Sequence, residues 1–114
     1  MSVYIVTAHA FKRFKEHHQE FYRKMKLDDY KELFVECLKV SKPCHISPNK
    51  YKNKLIKYDL IQNVNSLYRY GKAWTFIIVK SGDFYYVITA IYRISPRPKI
   101  LDIKSPIGEV KFNS

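Results

Sequence analysis

Two apolar runs in the second half of the chain, separated by a short turn, constrain the fold more than any other feature of the sequence. The runs are residues 73–80 and 84–93, and Ser81-Gly82-Asp83 lies between them. Alternating β-branched and aromatic residues predict a strand in each run, and Gly82 supplies the positive φ that a tight turn requires. Both faces of this hairpin are apolar, so we expect it to lie centrally in a sheet, with helices covering one side.

The first forty residues predict one strand followed by two helices. Residues 2–7 alternate and are rich in β-branched side chains, which is typical of a strand. Residues 8–26 carry an apolar stripe at helical spacing. A second stripe follows Asp28 or Asp29, either of which can cap a helix that runs to about Val40. The predicted fold class is α+β, with two N-terminal helices packed on an antiparallel sheet of about four strands.

The other segments carry weaker patterns. Residues 67–70 predict one more strand before the hairpin, and residues 41–49 predict a loop because they contain two prolines. Residues 50–64 alternate lysines with apolar residues, which fits a basic edge strand, an exposed loop or a rim that follows phosphates. Residues 95–114 are expected to form a partly extended or frayed C-terminal tail, with one edge strand at residues 100–103. No linker divides the chain, so residues 1–114 are expected to form a single domain.

The charge balance points to an anionic partner. The chain carries 21 Lys and Arg against 10 Asp and Glu, a formal net charge of +11, with a pI near 9.7. Such a surplus favours nucleic acid, RNA in particular, and in second place an acidic protein such as an antitoxin or inhibitor. The ten tyrosines suit a half-buried sheet and a base-stacking surface equally well.

The junction between the first strand and the first helix carries the residues best suited to proton transfer. His9 lies in the first helical turn, and Lys12 and Arg13 follow one turn later on the helix surface. An imidazole titrates near neutral pH, and the two cations can hold phosphate oxygens. The alternative is a structural histidine at a helix start, bonded to backbone carbonyls, beside a solvated basic face.

The same junction and the second hairpin strand also carry a family resemblance. The residues concerned are Thr7, His9, Ala10, Arg13 and the segment 87–92. They resemble the small ribonuclease toxins of the RelE-like superfamily, which includes barnase-like, EndoU-like and colicin-tRNase-like domains, and within it the branch that opens with (I/V)T-x-HA-x-x-R. The resemblance implies a RelE-like fold and metal-independent RNA cleavage. That reaction needs a base for the 2′-hydroxyl proton, an acid for the leaving 5′-oxygen and cations that stabilise the phosphorane.

The resemblance also implies the catalytic residues. His9 matches the family histidine, the general acid or base, and Arg13 matches the arginine that stabilises the phosphate. Thr89 and Tyr92 lie on the last predicted hairpin strand, where the superfamily often places a hydroxyl or an aromatic residue of the site. The structural alternatives are a strand threonine and a tyrosine in cross-strand packing.

Four further cations form the predicted nucleic-acid-binding set, namely Lys12, Lys15, Arg69 and Lys72. Lys12 and Lys15 share the first helix with His9. Arg69 and Lys72 flank the strand before the hairpin and are chosen by position alone. A solvated basic face is the alternative for the helical pair.

Several other functional classes are disfavoured. The potential metal ligands include His17, His18, Cys37, Cys44 and His45. None of them has the spacing of a known zinc motif, so we expect no metal and no cofactor. The chain has no glycine-rich phosphate loop and no paired catalytic carboxylates, which argues against nucleotide triphosphatases, Rossmann enzymes and glycosidases. It also has no apolar run of about eighteen residues and no signal peptide, so we expect no membrane span, a cytoplasmic location and reduced cysteines.

The sequence leaves three interpretations of function. The preferred one is a metal-independent RNA endonuclease, toxin-like or phage-borne, with a histidine as general acid or base. The alternative is a non-catalytic basic module that binds nucleic acid or protein on the same scaffold. The third is a viral or host-interaction protein whose basic face meets an acidic protein.

Overall fold

A computed structural model of the protein describes residues 2–21, 24–46, 66–93 and 97–113. The two helices are α1, Ala8–Phe21, and α2, Leu27–Lys39. The strands are β1, Val3–Val6; β2, Lys42–His45; β3, Ser66–Gly71; β4, Trp74–Ser81; β5, Phe84–Tyr92; β6, Lys99–Ile100; and β7, Glu109–Phe112. The basic stretch predicted at residues 50–64 lies outside the described residues.

The described strands form one mixed sheet in the order β6-β2-β3-β4-β5-β1-β7. Strand β1 pairs in parallel with β5 and β7, and the other pairs are antiparallel. The predicted α+β class with two N-terminal helices is confirmed, but an estimate of about four strands is too low for this seven-stranded sheet. Strands β2 and β7 were not predicted, and β6 lies at the start of the edge strand expected at residues 100–103; all three have only two to four residues, too few to show a clear periodic pattern.

Strand β2 lies where two prolines predicted a loop. A proline removes one backbone donor from a sheet but leaves its carbonyl as an acceptor. The Pro43 carbonyl accepts a hydrogen bond from the backbone N–H of Leu101 at 2.9 Å. The strand can therefore form despite the proline, because the Pro43 carbonyl still accepts a hydrogen bond from the neighbouring segment.

The central hairpin of β4 and β5 is present as predicted, with Gly82 at φ 60° in its turn. A β-bulge interrupts the regular alternation that we expected along β5. Ile78 pairs with Val87, whereas Ile77 pairs with Thr89, so Ile88 is an extra residue on that strand. The bulge moves the residues after Val87 to the face opposite the one that strict alternation would give.

The main core lies between the sheet and the two helices. Phe14 of α1 and Phe34 of α2 are fully buried, with ring centroids 4.9 Å apart. The Phe34 ring lies 5.4 Å from that of Phe76 in the central strand. The predicted stripe of α2 is confirmed, and its buried members are Tyr30, Phe34, Cys37 and Leu38.

A second, smaller cluster lies on the opposite face of the sheet. Ile46 and Ile77 are buried there, and partly buried neighbours include Ile88 and Ile91. The two faces of the central hairpin are therefore both apolar, as its sequence predicts. Cys37 and Cys44 are buried and unbridged.

Residues 101–108 connect the two outermost strands of the sheet, and we call this segment the strap. Six strand spacings of about 4.8 Å separate β6 from β7, a distance of roughly 29 Å. Nine residue steps at about 3.3 Å each cover only that distance, so the strap is nearly fully extended. Ile107 and Phe112 pack against the helix-side core. Strand β7 is in parallel register with β1, in the segment where a partly extended or frayed tail was expected.

Neither α1 nor α2 is both long enough and apolar enough to cross a lipid bilayer.

Candidate functional site

The start of α1 is fixed to the sheet by one threonine. The Thr7 hydroxyl accepts a hydrogen bond from the Ala10 backbone N–H at 3.2 Å, as a helix N-cap does. The same hydroxyl donates to the Val87 carbonyl at 2.8 Å. Thr7 therefore turns the chain from β1 into α1 and ties the helix start to β5.

The predicted cationic residues of α1 lie on and beside its exposed face. His9 and Lys12 are exposed, and Arg13 and Lys15 are half-buried. Lys12 forms an i,i+4 ion pair with Glu16 at 3.9 Å. The Lys15 ammonium lies 4.7 Å above the ring of Phe11. The His9 imidazole is thus accessible to a ligand from solvent, and it lies outside the core that α1 forms with the sheet.

Thr89 faces away from α1. Its Cα partner in the sheet is Ile77, and paired residues share a face. Ile77 belongs to the small cluster opposite the helices, whereas α1 packs on the face that carries Phe76 and Ala90. Thr89 is only 3% exposed. The structure therefore does not bring its hydroxyl together with His9.

Tyr92 lies on the helix side, but at the opposite end of α1 from His9. Its ring packs 4.0 Å from His17 and 5.2 Å from Trp74, measured between centroids. The Arg93 guanidinium lies 5.2 Å from the same ring. Eight helical residues separate His17 from His9, a rise of about 12 Å. Of the predicted catalytic set, only His9 and Arg13 are one helical turn apart.

Lys72 is held at the surface by α2. Its ammonium donates to the Glu36 carboxylate at 2.5 Å, and this hydrogen bond raises the pKa of Lys72. Lys72 and Ala73 form the β3–β4 turn with φ of 49° and 68°. A phosphate would have to compete with Glu36 for this lysine.

Arg69, which the sequence placed in the nucleic-acid-binding set by position alone, lies in the interior of the protein. It is 5% exposed, and its side chain lies on the helix side of β3. Its Nε donates to the Ser41 hydroxyl at 2.9 Å, and Nη2 donates to the Ser41 carbonyl at 2.7 Å. Nη1 lies 3.3 Å from the hydroxyl of Ser105 in the strap. The side chain therefore joins β3, the end of α2 and the strap.

A cavity of about 450 Å³ opens beside Arg69. Its wall is formed by the start of β2 and by the strap, and the charged groups that line it besides Arg69 are Lys42, Lys104 and Asp102. These three side chains are exposed, so they form a charged rim around the cavity, whereas the Arg69 side chain that lines it is buried.

Two more cations, outside the lining of this cavity, lie along the outer strands. The Arg97 guanidinium lies 5.0 Å from the ring of Tyr70, and Tyr70 pairs with Lys42 across β3 and β2. Lys99 pairs with His45 across β6 and β2. We call these cations the basic edge; its members are Lys42, Arg69, Arg97, Lys99 and Lys104.

The chain was compared with protein-family models, curated proteins and solved structures. Nothing matches.

Two half-buried histidines form a group that the sequence did not assign to a site. The rings of His17 and His18 lie 5.2 and 6.2 Å from that of Trp74. Burial is the largest influence on both and lowers the pKa of each imidazole. His18 belongs to the apolar stripe of the first helix, and that helical spacing was the feature of the sequence that indicated its packing against the core.

Metal ligands do not gather in the described part of the chain. Within residues 2–21, 24–46, 66–93 and 97–113, no group of three or more His, Cys, Asp or Glu side chains could hold a metal ion. The buried thiols are also poor thiolate ligands, because burial raises the pKa of Cys37 to about 11 and that of Cys44 to about 12.

Proposed function

We propose that the protein binds nucleic acid, RNA in the first place, through the basic edge, and that it does so as a non-catalytic module. The observation that carries this proposal is the collection of five cations on and beside the strands at one end of the sheet, three of which line a single cavity. Phosphate contacts by Lys and Arg supply most of the affinity of proteins for nucleic acid. Asp102 is the one carboxylate among the described residues that line the cavity.

The aromatic neighbour of these cations supports a single-stranded ligand. Tyr70 is half-buried, with Arg97 over its ring at 5.0 Å. Aromatic rings and guanidinium planes stack on bases of any sequence, while lysines follow the backbone. Lys42 is the partner of Tyr70 in the adjacent strand, so a phosphate-binding group lies next to a stacking group.

RNA cleavage is the second proposal, and the exposure of His9 favours it. A substrate can reach this imidazole from solvent, with Arg13 one turn further along α1. The rest of the predicted catalytic set gives it less support, because Thr89 faces the other side of the sheet and Tyr92 packs against His17. Membership of the RelE-like superfamily is part of this second proposal, since it rests on the same motif.

One assay with two readouts separates the proposals. A fluorescent single-stranded RNA is mixed with the purified protein in low salt without divalent metal. Anisotropy reports binding, and a denaturing gel reports cleavage. We expect binding with intact RNA. Cleavage by the wild-type protein that His9→Ala abolishes would establish the ribonuclease instead.

An acidic protein partner is the remaining alternative. It predicts that the protein binds neither RNA nor DNA at low salt. It also predicts that an acidic protein stays associated after nuclease treatment.

A further inference from the structure

We propose that the cavity beside Arg69 is a binding pocket for the terminal phosphate of a nucleic-acid strand. The inference rests on the proposed function, because it takes the phosphate to belong to a nucleic acid. It adds a specific site to a surface that otherwise attracts phosphates by charge alone.

The first argument is the environment of the Arg69 guanidinium. Its hydrogen-bond partners at Ser41 and Ser105 are two hydroxyls and a carbonyl, all of them neutral. Tyr4 also lies close to it, and the nearby Arg69 cation lowers the pKa of that buried phenol against the larger effect of burial, which raises it. No carboxylate is bonded to Arg69 among the described residues. A buried cation without a counter-charge is costly, and a bound anion removes that cost.

The second argument is the donor capacity that remains. A guanidinium has five N–H groups in a planar fork; the bonds to Ser41 and Ser105 use three of them, and the Tyr4 hydroxyl is a further hydrogen-bond partner. Burial also disfavours the charged form, which lowers the pKa of Arg69. One N–H group remains for a phosphate oxygen, so the same side chain that anchors the strap can also bind a phosphate.

The third argument is the size and charge of the cavity. Its volume of about 450 Å³ lies within the range of small-molecule sites and exceeds what a bare phosphate needs. Lys42 and Lys104 at the rim add two positive charges to that of Arg69, against one negative charge on Asp102. The cations suit the phosphate, and the Asp102 carboxylate can accept a hydrogen bond from a sugar hydroxyl. A nucleotide at the end of a strand combines both groups.

A terminal phosphate fits better than an internal one. A monoester carries close to two negative charges near neutral pH and presents three oxygens, whereas a phosphodiester carries one charge. A strand end can also enter a cavity that Arg69 lines. An internal phosphate would have to bring the chain in and out through the same opening.

The experiment compares three single-stranded RNAs of one sequence, with a 5′-phosphate, with a 3′-phosphate or with hydroxyls at both ends. Affinity for the wild-type protein is measured by anisotropy in 100 mM salt, with inorganic phosphate and a nucleoside monophosphate as competitors. We expect one phosphorylated strand to bind at least about tenfold more tightly than the hydroxyl strand, as for a hydrogen-bonded charged group. The monophosphate should compete better than free phosphate.

Three variants locate the effect. Arg69→Gln keeps a polar, hydrogen-bonding side chain but removes the charge, and it should abolish the preference for a terminal phosphate. Because Arg69 also anchors the strap, this variant is checked by circular dichroism. Lys104→Gln leaves the Arg69 contacts intact and should reduce the preference even if Arg69→Gln does not fold. Lys111→Gln, on the far edge strand β7, loses the same charge and should keep the preference.

The outcomes separate this inference from the proposed function. Equal binding of phosphorylated and hydroxyl strands overturns the pocket but leaves nucleic-acid binding in place. A preference that survives Lys104→Gln and a folded Arg69→Gln also overturns it, and Arg69 is then only a structural anchor. Competition by free phosphate without any preference for a strand end assigns the pocket to small anions and overturns the terminal-phosphate inference. Failure of every strand to bind at low salt removes the proposed function itself.

Discussion

Three of the four histidines share α1 but differ in environment. His9 is exposed at the start of α1, whereas His17 and His18 pack against Trp74 near its end. The sequence placed His9 at the strand–helix junction correctly, because the threonine cap and the change of periodicity are local signals. It could not show that Thr89 faces the other side of the sheet, because a bulge decides that, and the bulge depends on the pairing of two strands.

Acidification should destabilise the protein through His17 and His18. Burial lowers the pKa of both imidazoles below the ordinary value of 6.5, so the unfolded chain binds more protons than the folded one as the pH falls through that range. The free energy of unfolding is therefore expected to fall between pH 7.5 and pH 5.5. Urea denaturation across this interval measures it.

Two variants assign that pH dependence. The double variant His17→Phe/His18→Phe keeps the ring packing and should show a flatter profile. His9→Gln removes an exposed imidazole and should keep the wild-type slope. A wild-type slope in the double variant would contradict the assignment.

The β3–β4 turn should become more stable with glycine at its second residue. Ala73 has φ 68°, a left-handed conformation that costs an alanine free energy and costs glycine almost none. Ala73→Gly is expected to raise the free energy of unfolding by about 1 kcal/mol, measured by urea denaturation. A lower free energy of unfolding in Ala73→Gly than in the wild type would show that the backbone at Ala73 is not strained.

At the scale of elements, long elements were predictable and short ones were not. The central hairpin and both helices have enough residues for their periodicity to be read. Strands β2, β6 and β7 form because neighbouring backbone pairs with them, and the strap reaches from β6 to β7 only because it is extended. The cavity beside Arg69 lies between β2 and the strap, so its existence depends on the elements that sequence patterns show least.

The contact between β3 and the end of α2 should tolerate no side chain at Gly71. A Cβ there would lie 2.7 Å from the Ser41 Cα and 2.8 Å from the Cys37 carbonyl oxygen. Gly71→Ala is therefore expected to lower the free energy of unfolding by roughly 1–3 kcal/mol, as overpacking does. Because Ser41 also holds Arg69, the same variant should weaken RNA binding.

Gly82→Ala is the matched control for that substitution. A Cβ at Gly82 meets no atom within 4 Å, so only its φ of 60° resists the change. Its cost should be about 1 kcal/mol, with RNA binding unchanged. Equal loss of binding in the two glycine variants would show that the effect is not specific to the α2–β3 contact.

At the scale of the whole molecule, the net charge of +11 predicted an anionic partner but not where that partner binds. The sheet order collects the basic edge at β2, β3 and β6, whereas Lys111 lies at the far edge on β7. Residues that are distant in sequence, such as Lys42 and Lys104, line one cavity. Composition therefore indicated the class of ligand, and only the topology indicates the surface.

The central claim is that the basic edge contacts phosphates, and the salt dependence of RNA binding in single-charge variants tests it most directly. Lys42→Gln, Lys104→Gln and Lys111→Gln each remove one positive charge, so a general loss of charge affects all three alike. The account predicts that the slope of log affinity against log salt falls by about 1 for Lys42→Gln and for Lys104→Gln and is unchanged for Lys111→Gln. Identical slopes in all three variants and the wild type would contradict it.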